Sequence, residues 1–289
     1  MSGWDMTLRA LPGIPRITAG DDLGALIVKA IGEDGHTLTD GDVLVIAQKV
    51  VSKAEDRVVR LDTVTPTDRA RELAEQIGRD PRLVQLYLDE STAVLQVIGR
   101  HVITLDKRGL VDTSGGVDSS NAGIFAEGWA CLLPVDPDAS ARRIRTRVRE
   151  LTGATVAVIV SDSHGNPHRE GSAGAAIGLA GIAAVEKPTP DDVDLYGNPM
   201  WGDLNRVDEL AGAASALMGQ SSAARPVILL RGAPYTPDEN ADIRDLLVQP
   251  PFPPDDVAGR SWSADTQKRQ GRRAPYGTSV RGSSARRVT

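Results

Sequence analysis

Apolar residues in this chain fall into two patterns that alternate: short unbroken runs, and longer stretches where they return every third or fourth position. VLVIA at 43–47, TVAVIV at 155–160 and RPVILLRG at 225–232 are short, continuous and rich in β-branched residues, which predicts strands covered on both faces. Other stretches have helical spacing. Asp21 and Asp22 precede LGALIVKAI, so acids sit where the helix macrodipole favours them and a helix is predicted over about Asp22–Ile31. Thr67 reads as a capping hydroxyl and Asp80-Pro81 as a cap with proline in the first turn, predicting two helices within Asp68–Asp89. Asp136-Pro137 repeats that start before ASARRIRTRVREL, and Gly153 supplies the stop. The Ala- and Leu-rich stretch 204–218, closed by Gly219, predicts one more helix despite Gly212. Strands and helices mixed in this way point to an α+β fold.

From Pro250 onward the pattern stops: PPFPPDD is followed by Gly, Ser and Arg with almost nothing apolar. Residues 254–289 are therefore expected to be a disordered tail, and residues 1–253 the folded domain. Net charge is −6, but Lys268, Arg269, Arg272, Arg273, Arg281, Arg286 and Arg287 lie in a stretch without a single acid. Setting those seven cations aside leaves −13 for residues 1–267. A body that acidic argues against a duplex nucleic-acid partner.

Aromatic residues make up only 3%, so the core must be built from Val, Leu, Ile and Ala. A lone cysteine, Cys131, excludes an intrachain disulfide and reads as a small buried hydrophobe. No stretch approaches the roughly 18 uncharged residues that span a bilayer, and the N-terminus has no basic region followed by an apolar run. The expected compartment is the reducing cytoplasm.

Three polar segments carry candidate chemistry. Asp162 follows the buried run VAVIV and is succeeded by Ser163 and a Gly-Asn-Pro turn. Strand ends of this kind are where ligands bind in α/β folds, although an aspartate there can equally cap its own turn. GVDSSNAG at 116–123 offers Asp118, serine hydroxyls and the Asn121 amide on small-residue chain; with Asp162 it forms a hard-oxygen set suited to Mg²⁺ or Mn²⁺ carrying phosphates. Asp112 competes for the same role. Lys49 and Lys53, in QKVVSKAE just past a strand, are point charges for phosphate. Neither GxxxxGK[ST] nor GxGxxG is present, so any nucleotide is held by neither common loop. His164 and His168 are four apart, but Gly165 and Pro167 forbid the helix that would make them a zinc pair.

GIPRITAGDDL, DGDVLVIAQKVVSKAE, GVDSSNAG, LLPVDPDASA, VAVIVSDSHGNPHREG and ELAGAASALMGQ, in this order and spacing, resemble the coenzyme F420-0:L-glutamate ligase family over about residues 11–233. The resemblance implies a family-specific α+β fold assembled as an intertwined homodimer. It also implies a GTP-dependent ligase that joins L-glutamate to coenzyme F420-0, with Mg²⁺ or Mn²⁺ required and K⁺ as a further candidate. Carried over residue by residue, it places GTP contacts on Ile14, Pro15, Arg16, Ile17, Gln48, Lys53, Asn121 and Gln220. Metal ligands fall on Asp118, Asp162 and Ser163, and the catalytic set on Lys53, Asp118 and Asp162. The chain departs from the family's usual pattern in SDSHGNPHREGSAGAAIG, where SDTFGRPWRNGQTDVAIG is typical, and in LVDTSGGVDSSN, where FVCANAGVDRSN is typical. Those departures imply a retained activation site with changed surroundings, and hence, as the alternative, a related GTP-dependent ligase of a different acid or amine.

Overall fold

The computed structural model of the chain describes residues 5–123, 128–166 and 169–247; the predicted basic tail and His168 lie outside them. In chain order the elements are β1 (Thr7–Ala10), α1 (Leu23–Glu33), β2 (Val43–Ala47), α2 (Gln48–Ala54), β3 (Val58–Arg60), α3 (Asp68–Ile77), α4 (Pro81–Asp89) and β4 (Ser91–Ile98). They continue with β5 (His101–Asp106), β6 (Val111–Thr113), β7 (Trp129–Cys131), α5 (Pro137–Thr152), β8 (Ala157–Asn166), β9 (Arg169–Ala180), α6 (Arg206–Met218) and β10 (Val227–Arg231). The predicted caps are in place. Asp22, Thr67, Asp80 and Asp136 each accept a backbone N–H of the first helical turn, while Gly78 and Gly153 close α3 and α5 in the left-handed conformation.

A five-stranded sheet in the order β1-β10-β2-β8-β9 forms the centre; β2 and β8 run parallel and the other pairs antiparallel. Alternate residues of its strands serve opposite layers. Leu44, Ile46, Val158 and Val160 pack with Ile27 and Ile31 of α1 and Ile144 and Val148 of α5, whereas Val43, Val45, Ile159 and Ile228 pack with Val207, Leu210 and Ala214 of α6. Burial on both faces explains why these strands read as unbroken apolar runs. A smaller lobe gathers α3 and α4 against the β3–β7 ribbon and the antiparallel sheet β4-β5-β6. Arg57 and Arg108, both paired with Glu90 at 2.8 and 3.4 Å, tie that lobe to the Leu133 and Pro134 carbonyls.

One expectation changes. The polar turn after VAVIV is instead a continuation of β8 as far as Asn166, because β9 pairs with it along Ser161–Gly165. Gly171, Gly174 and Gly178 belong to that partner strand, where the helices pressed on it leave Gly174 and Gly178 no room for a side chain. A Cβ on Gly178 would lie 2.5 Å from the Pro137 backbone of α5, and one on Gly174 would lie 2.6 Å from the Ala211 carbonyl oxygen of α6. α5 also delivers a buried carboxylate to β9: Asp138 accepts the N–H of Leu179 at 2.7 Å and of Ile243 at 3.1 Å, and burial pushes it up to about 6.

Candidate functional site

One end of the central sheet collects the chain segments singled out above. β2 and β8 are parallel with Ala47 opposite Ser161, so α2 begins beside the middle of β8. The Ala47 N–H donates to the Pro226 carbonyl at 2.8 Å and the Leu11 N–H to the Val227 carbonyl at 3.0 Å. The segment after β1 and the segment before β10 therefore reach the same edge. They enclose an open cavity of about 1090 Å³ whose wall includes Ile14, Pro15, Arg16, Ile17, Gln48, Lys53, Asn121, Asp162, Ser163 and Gln220. Ligands bind at such carboxyl ends of parallel strands because loop residues converge there on a rigid base.

Asp118 approaches from the small lobe on a fixed backbone. It exchanges both main-chain hydrogen bonds with Cys131 of β7, at 2.9 and 2.7 Å. Its Oδ1 accepts from the Ser120 N–H and hydroxyl, each at 3.0 Å, and its Oδ2 forms an ion pair with the Lys49 ammonium, which also lies 3.4 Å from Ser120 Oγ. Asn121, in the left-handed region at φ 50°, donates from Nδ2 to the Ser221 carbonyl at 3.1 Å and so ties this loop to the segment after α6. Small neighbours let the loop fold closely on itself. Ser163 donates to Gln220 Oε1 at 3.0 Å, so these two oxygens adjoin each other on the cavity wall.

Electrostatics set Asp162 apart. Burial and the neighbouring Asp112 carboxylate push it up to about 6, against the opposing influence of His164 and Lys49. Asp112 itself is buried, is raised by that burial, and stands 3.3 Å from His164 Nε2. Asp112 Oδ2 and His164 Nδ1 have no hydrogen-bond partner among the described residues. Asp112 is thus enclosed beside the cavity rather than exposed on its wall. Gln48 faces the cavity, but its amide nitrogen is engaged in the protein, donating to Ser52 Oγ at 2.5 Å and the Leu132 carbonyl at 3.2 Å. Cys131 is buried, with its thiol pushed up by burial.

Asp162, Ser163 and Gln220 bring hard oxygens of the kind Mg²⁺ or Mn²⁺ takes to the cavity wall, whereas Asp118 is not part of that wall and is linked to it through Lys49 and Ser120. Among the described residues no three His, Cys, Asp or Glu side chains are arranged as a metal site. A cation here would complete its shell with neutral oxygens, water and phosphate, as Mg²⁺ commonly does. The Lys49 ammonium supplies a direct test of fit: positive charge is already drawn to Asp118 and acts on Asp162 as well.

Residues 13–232 match the F420-0:gamma-glutamyl ligase family. The chain belongs to this family. A coenzyme F420:L-glutamate ligase of Methanothermobacter thermautotrophicus is 40% identical over 233 residues, covering 80% of this chain and 90% of that protein. Those of Methanopyrus kandleri, 41% identical over 230 residues, and Methanocaldococcus jannaschii, 40% over 213, cover 78% and 73% of this chain and 87% and 83% of their own lengths. This F420-0:gamma-glutamyl ligase family member therefore aligns across the central sheet apart from β1, the small lobe and every wall of the cavity. Two features of the site escaped the sequence reading. The partnership of Lys49 with Asp118 and that of His164 with Asp112 join residues 69 and 52 apart, and only the sheet edge brings them together.

Proposed function

We propose that this chain is a GTP- and divalent-metal-dependent ligase that forms an amide between L-glutamate and the carboxylate of coenzyme F420-0. The observation that carries this reading is the single cavity into which Arg16, Lys53, Asn121, Asp162, Ser163 and Gln220 converge, on a chain of this family. A carboxylate lacks a leaving group, and phosphoryl transfer from GTP provides one. The substrate carboxylate oxygen attacks the γ-phosphorus, the bond to GDP breaks, and an acyl phosphate results. The glutamate amine then attacks the acyl carbon and loses a proton, and inorganic phosphate departs.

Within that scheme Asp118, Asp162 and Ser163, with Gln220, would hold Mg²⁺ or Mn²⁺, which when bound would neutralise phosphate charge. Lys53 adds a fixed positive charge, Arg16 and its neighbours flank the nucleotide, and Asn121 orients it. Incubating the protein with GTP, Mn²⁺, L-glutamate and F420-0 should yield a product heavier by one glutamyl residue in mass spectrometry. Asp162→Ala should yield none; absence of that product from the unsubstituted protein, with GTP still bound, sinks the reading.

A second reading, a ligase of a different acid or amine, is favoured by the Asp112–His164 pair beside Asp162. That pair puts a carboxylate and an imidazole where the family's usual segments place apolar or aromatic groups. The same assay with a panel of acids and amines separates the two. A homodimer is part of the proposal as well. Leu195, Tyr196 and Trp201 are 99, 90 and 86% exposed on the excursion between β9 and α6, large apolar side chains that a second copy of the chain could cover.

A further inference from the structure

We infer that Lys49 is a displaceable stand-in for the divalent cation: its ammonium holds Asp118 until the metal binds, then leaves that carboxylate for the anionic ligand in the cavity. The inference rests on the metal-site reading above and extends it to Lys49, which the family resemblance left outside the metal and nucleotide sets. Lys49 lies at the start of α2, directly past the carboxyl end of β2, and its side chain is only 26% exposed. It pairs with Asp118 Oδ2, touches Ser120 Oγ, and its charge acts on Asp162 across the parallel β2–β8 junction. Asp112 adds a third carboxylate beside Asp162. His164 stands against Asp112, so among the described residues Lys49 is the cation paired with Asp118, and removing it leaves that carboxylate without its ion pair.

A metal ion and an ammonium on the same Asp118 oxygen repel each other, so the binding of one weakens the hold of the other. Lys49 also lines the cavity. Its flexible stem lets the released charge swing toward phosphate without moving the backbone of α2. Exchange of this kind makes cation binding weak in the empty site and stronger once an anion is present to receive the ammonium. That coupling favours loading of nucleotide and metal together.

The test is binding of Mn²⁺ alone, followed by the electron paramagnetic resonance signal of the free ion, to the full chain and to Lys49→Gln, Lys49→Met, Lys49→Arg and Lys53→Gln. Without nucleotide, both neutral Lys49 variants should bind Mn²⁺ about twofold to fivefold more tightly, the range expected for removing a partly exposed ion pair. Lys49→Arg should not, and in an Asp118→Asn background the gain should vanish. Adding GTP should tighten Mn²⁺ binding more for the unsubstituted protein than for Lys49→Gln. Circular dichroism melting confirms that each variant is folded, and the two neutral variants guard against one failing to fold. Unchanged or weaker binding in the neutral variants overturns the inference. So does a gain that persists with Asp118→Asn, or an equal gain in Lys53→Gln, since either reveals a general effect of charge. If no form binds Mn²⁺ with or without GTP, the metal-site reading itself fails; if the unsubstituted protein binds it and the Lys49 variants do not differ, only the exchange fails.

Discussion

Gln48 and Lys53 both come from α2 and both line the cavity, yet their side chains have different commitments. Gln48 spends its amide nitrogen on Ser52 and the Leu132 carbonyl, so truncation leaves a buried acceptor unpaired, at a cost of about 1–3 kcal/mol. Gln48→Ala should lower the melting temperature clearly while changing GTP affinity little. Lys53→Ala should do the reverse, weakening GTP binding by about tenfold, the scale of one charged contact. Calorimetric titration and thermal denaturation of the two variants check the pair; equal losses of affinity would return Gln48 to the nucleotide. At this scale, side-chain chemistry made Asp118, Asn121, Asp162 and Lys53 legible in the sequence. Asp112 and His164 were not legible as a pair, because no local pattern reports that β6 and β8 meet.

The helices were read from their caps and spacing because these are local. Asp22, Thr67, Asp80 and Asp136 satisfy first-turn amides from three or fewer residues away. Glycine-rich β9 was not read, since Gly174 and Gly178 are strand residues only by virtue of the α6 and α5 backbones pressed on them. Gly178→Ala should therefore destabilise the protein by about 1–3 kcal/mol, measured by urea denaturation, because the new methyl meets immobile backbone rather than a side chain that can turn away. Asp138 links α5, β9 and the turn at Ile243, and its carboxyl titrates at about 6 in the fold against an ordinary 3.8. Between those values the unfolded chain has released the proton and the folded chain has kept it. Stability contributed by this group thus falls as pH rises from about 4 to 6, by up to about 3 kcal/mol. Urea denaturation across that range should show the advantage of the unsubstituted protein over Asp138→Asn shrinking with rising pH; a constant difference would mean that Asp138 titrates normally.

For the whole molecule, the excursion carrying Leu195, Tyr196 and Trp201 is the feature least at home in a single chain. Light scattering should report a dimer for the unsubstituted protein and a smaller species for Leu195→Glu with Trp201→Glu; a monomer in both would leave that apolar surface to a different partner. Among the described residues no helix is long and apolar enough to cross a membrane, consistent with the absence of long apolar runs in the sequence. The sequence by itself determined helices α1, α3, α4, α5 and α6, though not α2, together with the three buried strand runs, the family and the chemical types at the site, because caps, periodicity and ordered motifs are properties of neighbouring residues. Only the tertiary structure decided that β8 runs on past Val160, that Arg169–Ala180 is its partner strand, that Lys49 reaches Asp118 and that Asp112 is enclosed with His164. Each of these is a contact between segments far apart in the chain, settled by which strand edges pair and which helices cover them.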